Sequence, residues 1–294
     1  GQAHQPLTLA AVLHHVLQMD SPAGPADEPM LRRVNRVLDT VLETCLQLDA
    51  ARQQLQSAIA TQRELEVVLE MLAARVELGQ ASPVEHRKVA ARLCSARDMV
   101  TRCVSDWNRI GRRFTQLTRL LPVQLKAGFD ALEPVQLDEM DRLAQASQST
   151  GADVQFSLSL RAQAWAAQRA DPAHPSGFGP VDFGAWLSGL EEARAQAATV
   201  FAGAREAYFQ AVLNFDREHA RLVRARSLRR TAETGFRHGS GSALHFTDSI
   251  VEESRRMHAV LSLQARRLAA KHQLFALAGL LPKQFGLVGP LTWH

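Results

Sequence analysis

The stretch Arg75-Val76-Glu77-Leu78-Gly79-Gln80-Ala81-Ser82-Pro83-Val84-Glu85 decides the fold, because it places a short turn signal between two long helical patterns. A second stretch, Gly235-Phe236-Arg237-His238-Gly239-Ser240-Gly241-Ser242-Ala243-Leu244-His245, carries the same signal. Gly79 matches Gly239 and Ser82 matches Ser242 at a constant offset of 160 residues. This recurrence predicts two copies of one structural unit.

The repeat extends well beyond the turns. The same offset places Leu117, Leu120, Leu121 and Pro122 onto Leu277, Leu280, Leu281 and Pro282. A match without gaps from each turn to the following proline predicts two copies of a helical hairpin.

The first hairpin is predicted by a heptad pattern that slips near Gln62 and resumes at Leu65, Leu69, Leu72 and Val76. Residues 30–78 contain no proline or glycine, and apolar side chains fall at 34, 38, 41, 45 and 48, the alternating spacing of a coiled-coil seam. Ser82 is the expected N-cap of the next helix and Pro83 its first residue. The seam expected over residues 84–121 is Leu93, Ala96, Val100, Cys103, Trp107, Ile110, Phe114, Leu117 and Leu121.

The remaining segments complete a mainly α fold. A short helix is expected over residues 7–19, before a break rich in proline at 20–29, and the second pair of long helices over 190–234 and 243–281. Between the hairpins we expect a brief helix at 136–149. Apolar residues alternate at 154–160 and 181–187, which predicts at most one small β-hairpin within 153–188.

The fold class is therefore mainly α, with two repeated long antiparallel helical hairpins of coiled-coil type and at most one small β-hairpin. The predicted divisions are an N-terminal helix and break at 1–29, the first hairpin at 30–122, a crossover at 123–189, the second hairpin at 190–282, and a tail at 283–294.

Composition favours this interpretation. Hydrophobic residues make up 46% of the 294 residues but aromatic residues only 6%, which is typical of long helices. The net charge of +4 is mild, so no nucleic-acid partner is expected. Cys45, Cys94 and Cys103 lie in helical patterns without metal-ligand spacing, so we expect three buried thiols and no disulfide.

The turns, the two Leu-Leu-Pro ends, the opening Leu7-Thr8-Leu9 and the segment Gln210-Ala211-Val212-Leu213-Asn214 together resemble the TolC family of outer-membrane efflux proteins. The resemblance implies that the turns form a periplasmic tip, where the hairpin of a membrane-fusion adaptor docks. The implied partner-binding residues are Gly79, Ser82, Gly239, Ser242 and Leu244. The alternative is that these glycines only terminate helices.

The resemblance also implies acidic residues near each turn, which narrow a tube mouth and favour cations. Glu85 and Asp248 match this pattern, but His245 stands where the first acid of the second repeat is expected. A histidine there makes the mouth titratable between about pH 5 and 8. The alternative is a solvated histidine without a role.

The sequence departs from the family in length, because the family inserts one β-hairpin in each repeat. Only residues 20–29 are available for the first insertion, whereas each membrane-spanning strand needs about 9 to 11 residues. We therefore expect a shortened relative without a complete membrane barrel. It would be a soluble periplasmic protein, with its signal peptide removed, that binds or scaffolds components of an export or secretion system. The alternative is a trimeric outer-membrane conduit protomer that docks an adaptor at its tips.

The remaining clusters of histidine, nucleophilic and basic residues predict neither a metal site nor a catalytic site. The pairs His14 with His15, His238 with His245, and His258 with His272 lack the spacing of a metal site, so no metal or cofactor is expected. No nucleophile with a base or phosphate loop is present, so an enzyme is not expected. The basic run from Arg217 to Arg230 is interpreted as a solvated face that pairs with Glu218 and Glu233. Protein partners and homo-oligomerisation are expected. The alternative is a cytoplasmic curved-helix module that binds membranes or DNA, for which salt-sensitive binding to anionic liposomes or duplex is expected.

Overall fold

In a computed structural model, residues 7–19, 30–126, 135–150 and 183–287 are described. The first hairpin consists of α2, Met30–Glu77, and α3, Pro83–Thr118. The absence of proline and glycine from α2 allows its 48 residues to continue as one helix. At about 1.5 Å per residue, α2 is about 72 Å long.

The second hairpin consists of α5, Phe183–Arg237, and α6, Ala243–Leu277. The alternating pattern that predicted a second strand at 181–187 was wrong over its described part, because residues 183–187 begin α5. Ala185 and Leu187 are strong helix formers, and the alternation is too short to outweigh the helical pattern that follows. The rest of the predicted β-hairpin lies outside the described residues.

Short helices surround the ends of the long ones that lie away from the turns. They are α1, Leu9–Met19, α4, residues 137–150, and α7, Leu281–Gln284, with a 3-10 turn at Pro122–Gln124. Leu7 and Leu125 form a parallel β-bridge, in which Leu7 N–H donates to the Gln124 carbonyl at 2.6 Å. We call this end of the molecule the base and the end that bears the two turns the tip.

Helix α6 lies at the centre of the arrangement, where it packs against α2, α5 and α3, while α2 also packs against α3. Three separate apolar cores stabilise this packing. The tip core is made by α2, α3, α5 and α6, the base core joins α1, α2, α3 and α6 with α7, and the third packs α4 against α5 and α6.

Most predicted seam positions face these cores. On α2, Leu38, Val41, Cys45 and Leu48 are buried, as the heptad pattern predicted. Leu121 is an exception at 60% exposure, because α3 ends at Thr118 before this position. The expectation of three buried thiols was also wrong for Cys94, which lies on the exposed face of α3, whereas Cys45 and Cys103 are buried free thiols.

The repeat continues to the ends of both hairpins in a way that the sequence did not reveal. Arg119 ends α3 with φ 59°, and Gly279, at the same offset of 160, follows α6 with φ 70°. Both copies therefore use a left-handed residue, but only the second uses glycine. The two Leu-Leu-Pro sequences then lead into short turns rather than ending the long helices themselves.

Candidate functional site at the hairpin tips

The two tip turns have the same backbone geometry. Gly79 and Gly239 adopt φ 71° and 75°, where a residue with a side chain is strained. Gly79 N–H donates to Val76 O at 3.0 Å and Gln80 N–H to Arg75 O at 2.8 Å. The equivalent bonds around Gly239 are 3.1 and 3.0 Å, so both long helices end in a Schellman motif.

Serines start the returning helices, as predicted. Ser82 Oγ accepts a hydrogen bond from Val84 N–H at 3.2 Å, and Ser242 Oγ accepts from Leu244 and His245 N–H at 3.1 and 3.4 Å. These bonds satisfy amides that otherwise lack partners at a helix start. Backbone hydrogen bonds at each glycine and the Oγ of each capping serine thus fix the shape of the turns, and both turns keep an exposed outer surface.

Glu85 joins the first turn to the second. Its Oε1 accepts hydrogen bonds from Ser242 Oγ at 2.8 Å and from Leu244 N–H at 3.2 Å. The carboxylate therefore lies at the N-terminus of α6, where the helix dipole favours negative charge. This position differs from that of a free carboxylate lining a mouth.

Two further contacts hold the hairpins together at the tip. Arg92 Nε donates to Asp248 Oδ1 at 2.7 Å, across the boundary between α3 and α6. Arg75 lies over the Phe236 ring, 4.5 Å from its centroid, and donates to the Phe236 carbonyl at 3.2 Å. Phe236 in turn stacks on Phe246 at 5.4 Å. The two turns are therefore fixed relative to each other as one surface.

The structure brings all eight predicted tip residues into this one region. Glu85 and Leu244 are half-buried between the hairpins, and the exposed residues are Gly79, Ser82, Gly239, Ser242, His245 and Asp248. Both predicted carboxylates are already engaged, Glu85 with α6 and Asp248 with Arg92. The sequence pattern missed the contacts of Arg75 with Phe236 and of Arg92 with Asp248, because partners more than 150 residues apart in the chain leave no periodic signal. It also missed the stacking of Phe236 on Phe246 across the second turn.

An open groove of about 530 Å³ runs beside the tip between α2 and α5. Phe246 and Ile250 of α6 line it together with Val68. Val67 and Met71, one helical turn apart on α2, are 55% and 41% exposed at its edge. The groove combines these apolar side chains with charged ones, namely Arg63, Glu64, Arg229, Glu233 and Arg237.

The basic run on α5 is only partly a solvated face. Arg221 pairs with Glu218 within the helix as expected, but Glu233 pairs with Arg237, outside the run. Arg229 instead reaches Glu64 of α2 at 3.0 Å and Glu253 of α6 at 3.1 Å. Cross-helix partners could not be read from one helix pattern.

Glu218 forms the second such junction, between α5 and α6. Its Oε1 accepts from Arg256 Nη1 at 2.9 Å. Burial acts to raise the pKa of Glu218, but the hydrogen bonds from Arg256 and Arg221 outweigh burial, so the pKa lies below its usual value. The carboxylate therefore stays charged and keeps the two helices joined.

The histidines in the described part of the chain do not form a metal site. Within the described ranges, no three His, Cys, Asp or Glu side chains come together in a group that could hold a metal ion. His272 is buried and its Nδ1 lies 3.0 Å from Gln284 Oε1, in contact with Phe285. Among the helices described, none is both long enough and apolar enough to cross a bilayer.

The described chain therefore contains two long antiparallel helical hairpins that turn at equivalent glycines, with α6 packed against helices of both hairpins. No protein-family model and no curated protein sequence matches the chain. Solved structures do match. VceC, an outer membrane protein of Vibrio cholerae, superimposes with a TM-score of 0.56 at 12% identity, covering 92% of this chain and 74% of VceC.

Two outer membrane channels give similar results. MtrE of Neisseria gonorrhoeae has a TM-score of 0.55 at 15% identity, over 92% of this chain and 70% of MtrE. CmeC of Campylobacter jejuni has a TM-score of 0.60 at 10% identity, over 85% of this chain and 64% of CmeC. At these identities the likeness is one of fold. The chain has the TolC-like helical fold, which confirms the fold class and the resemblance that the sequence predicted.

Proposed function

We propose that this protein is a component of a cell-envelope export or secretion system that binds protein partners through its two hairpin tips. The observation that carries the proposal is the single continuous surface formed by both turns, in which Glu85 and Arg92 join one hairpin to the other. A surface fixed before binding loses little conformational entropy when a partner docks. No catalytic role is part of the proposal.

The kind of partner follows from the groove and from the fold. Exposed Val67 and Met71 offer apolar contacts to an amphipathic helix beside the tip. VceC, MtrE and CmeC, which share the fold, are outer membrane proteins or channels. A helical hairpin of a membrane-fusion adaptor is therefore the partner that we propose for the tips.

Within this function, we favour a soluble periplasmic scaffold over a conduit protomer. The ten residues at 20–29, three of them proline, are too short to supply a pair of membrane strands between α1 and α2, each of which needs about 9 to 11 residues. The conduit remains the second candidate, because the fold is shared with outer membrane channels.

Self-association is compatible with both candidates. Helix α5 exposes the apolar side chains Phe209, Leu213, Val223 and Leu228. Exposed apolar side chains on a long helix offer contacts to a second copy or to another helical protein.

Site-specific photo-cross-linking in the native cell tests tip docking. A photoreactive residue at exposed Gln80 or Ser240 is expected to capture an envelope protein of the adaptor type, identified by mass spectrometry. The same residue at Ser105, exposed in the middle of α3, is the control. Capture of the same products from all three positions, or of no envelope protein from the tips, would contradict the proposal.

Fractionation and sizing separate the two candidates. The scaffold is expected in the periplasmic extract and to stay in solution without detergent. A trimer that is extracted only with detergent from the outer membrane would exclude the scaffold, whereas a detergent-free monomer would exclude the conduit.

A further inference from the structure

The base end of α3 has a charge pattern unlike the rest of the helix. Residues 107–126 contain five basic residues and no carboxylate, whereas residues 83–106 contain five basic residues and three carboxylates. Arg112, Arg113, Arg119 and Lys126 are all exposed. The base end of α3 therefore carries a local excess of positive charge, which the mild net charge of the whole chain conceals.

Exposed apolar side chains lie next to this charge. Leu121 and Val123 are 60% and 70% exposed, although Leu121 directly precedes an anchored 3-10 turn and Val123 lies within it. Pro122 packs closely on α3, since a Cβ placed on Gly111 would lie 3.0 Å from its Cγ, and the bridge between Leu125 and Leu7 holds the end of the turn. Folding thus presents two apolar side chains to solvent on a fixed turn beside arginines.

We propose that this base surface, defined as Arg112, Arg113, Arg119, Leu121, Val123 and Lys126, docks the protein on an anionic lipid bilayer. Basic side chains attract acidic headgroups within a Debye length, and apolar side chains beside them enter the interface between headgroups and acyl chains. A bilayer surface accepts the apolar and the basic groups together, whereas duplex DNA would leave Leu121 and Val123 in water.

The proposal has a geometric consequence for the molecule. Helix α3 has 36 residues, so the base surface lies about 54 Å from the tips, whereas the longer helices α2 and α5 continue beyond this level. The proposal does not depend on the tip partner, because the two surfaces lie at opposite ends of α3.

Vesicle co-sedimentation of the full chain tests the base surface. The probes are vesicles of phosphatidylcholine alone and vesicles in which about three parts in ten are phosphatidylglycerol. We expect binding only to the mixed vesicles, and loss of binding when salt is raised from about 0.05 M to about 0.5 M. Arg112→Ser with Arg113→Ser should weaken binding about thirtyfold, and Leu121→Ser with Val123→Ser about tenfold.

A matched control lies at the other end of the same helix. Arg87→Ser with Lys88→Ser removes the same charge from exposed positions near the tip and should leave vesicle binding unchanged. Circular dichroism checks that each variant keeps its helix content. The proposal is overturned if the wild type does not bind mixed vesicles at low salt, if the tip and base variants weaken binding equally, or if duplex DNA is bound while vesicles are not.

Discussion

At Arg119 and Gly279, the same left-handed backbone conformation is filled by two different residues. A side chain in this conformation costs about 1 kcal/mol. At the exposed Arg119 this strain is the only cost of a side chain. At Gly279 a Cβ would in addition lie 3.1 Å from Thr150 Cγ2 and Oγ1 of α4. Position 279 therefore tolerates a side chain less well than position 119 does.

Exchanging these residues should have opposite effects. We expect Arg119→Gly to raise the free energy of unfolding by about 0.5 kcal/mol, because relief of strain outweighs the added freedom of the unfolded chain. Gly279→Ala should lower it by about 2 kcal/mol, since strain and crowding by Thr150 add together. Urea denaturation measures both free energies of unfolding. A loss in Gly279→Ala that is no larger than the gain in Arg119→Gly would show that Thr150 does not constrain Gly279.

His272 gives the fold a dependence on pH. Burial, with a smaller effect of the Lys271 charge, lowers the pKa of His272 to about 4, although the hydrogen bond with Gln284 acts in the opposite direction. The unfolded chain binds a proton near pH 6.5, so the stabilising contribution is complete above that pH and is lost as pH falls to about 4. The loss is about 3 kcal/mol.

This pH dependence can be measured directly. The free energy of unfolding of the wild type should fall between about pH 6.5 and pH 4 with a slope of about one proton from this group. In His272→Gln, the slope over the same window should decrease by that amount. A variant that keeps the full wild-type slope would place the acid sensitivity elsewhere.

Among the elements, Arg229 is the point at which three long helices meet. Its guanidinium bonds Glu64 of α2 and Glu253 of α6 from a position on α5, and the side chain is 25% exposed. Arg229→Ala leaves two partly buried carboxylates without this partner and should cost about 2 kcal/mol. Arg229→Lys should cost less, because an ammonium can keep one of the two contacts.

The neighbouring Arg230 provides the control for this junction. Arg230 is exposed on α5, so Arg230→Ala should change the free energy of unfolding by less than about 0.5 kcal/mol in the same urea titration. If Arg229→Ala cost no more than Arg230→Ala, the junction would not contribute to holding the helices together.

The sequence allowed prediction of the elements better than of their partners. Heptad spacing, the two glycines and the capping serines predicted both hairpins, because these signals act within a few residues. The start of α5 at Phe183 was missed, since a short alternation resembles a strand until tertiary packing is known. The sequence placed Glu85 at the tip and Arg92 on α3, but it did not predict their partners on α6. Contacts across about 150 residues have no local signature.

For the whole molecule, the separation of its apolar cores is the dominant property. The tip core contains residues such as Leu72, Val89 and Phe236, whereas the base core contains Leu13 and Phe114. Contacts within each core are local to one end of the long helices. Such a molecule should open at one end without losing the other, in cooperative units smaller than the whole chain.

Truncation of Phe236 tests this independence. The side chain is 1% exposed, stacks on Phe246 and lies under Arg75, so Phe236→Ala should destabilise the tip by about 4 kcal/mol. Hydrogen exchange followed by mass spectrometry should then show faster exchange over residues 65–96 and 232–250. Exchange over 38–48 and 268–278, at the base, should change little. Phe209→Ala, at a residue 37% exposed on α5, is the size-matched control and should affect neither end. Uniformly faster exchange in Phe236→Ala would mean that the long helices unfold as one unit, because their continuous backbone couples the cores more strongly than local packing separates them.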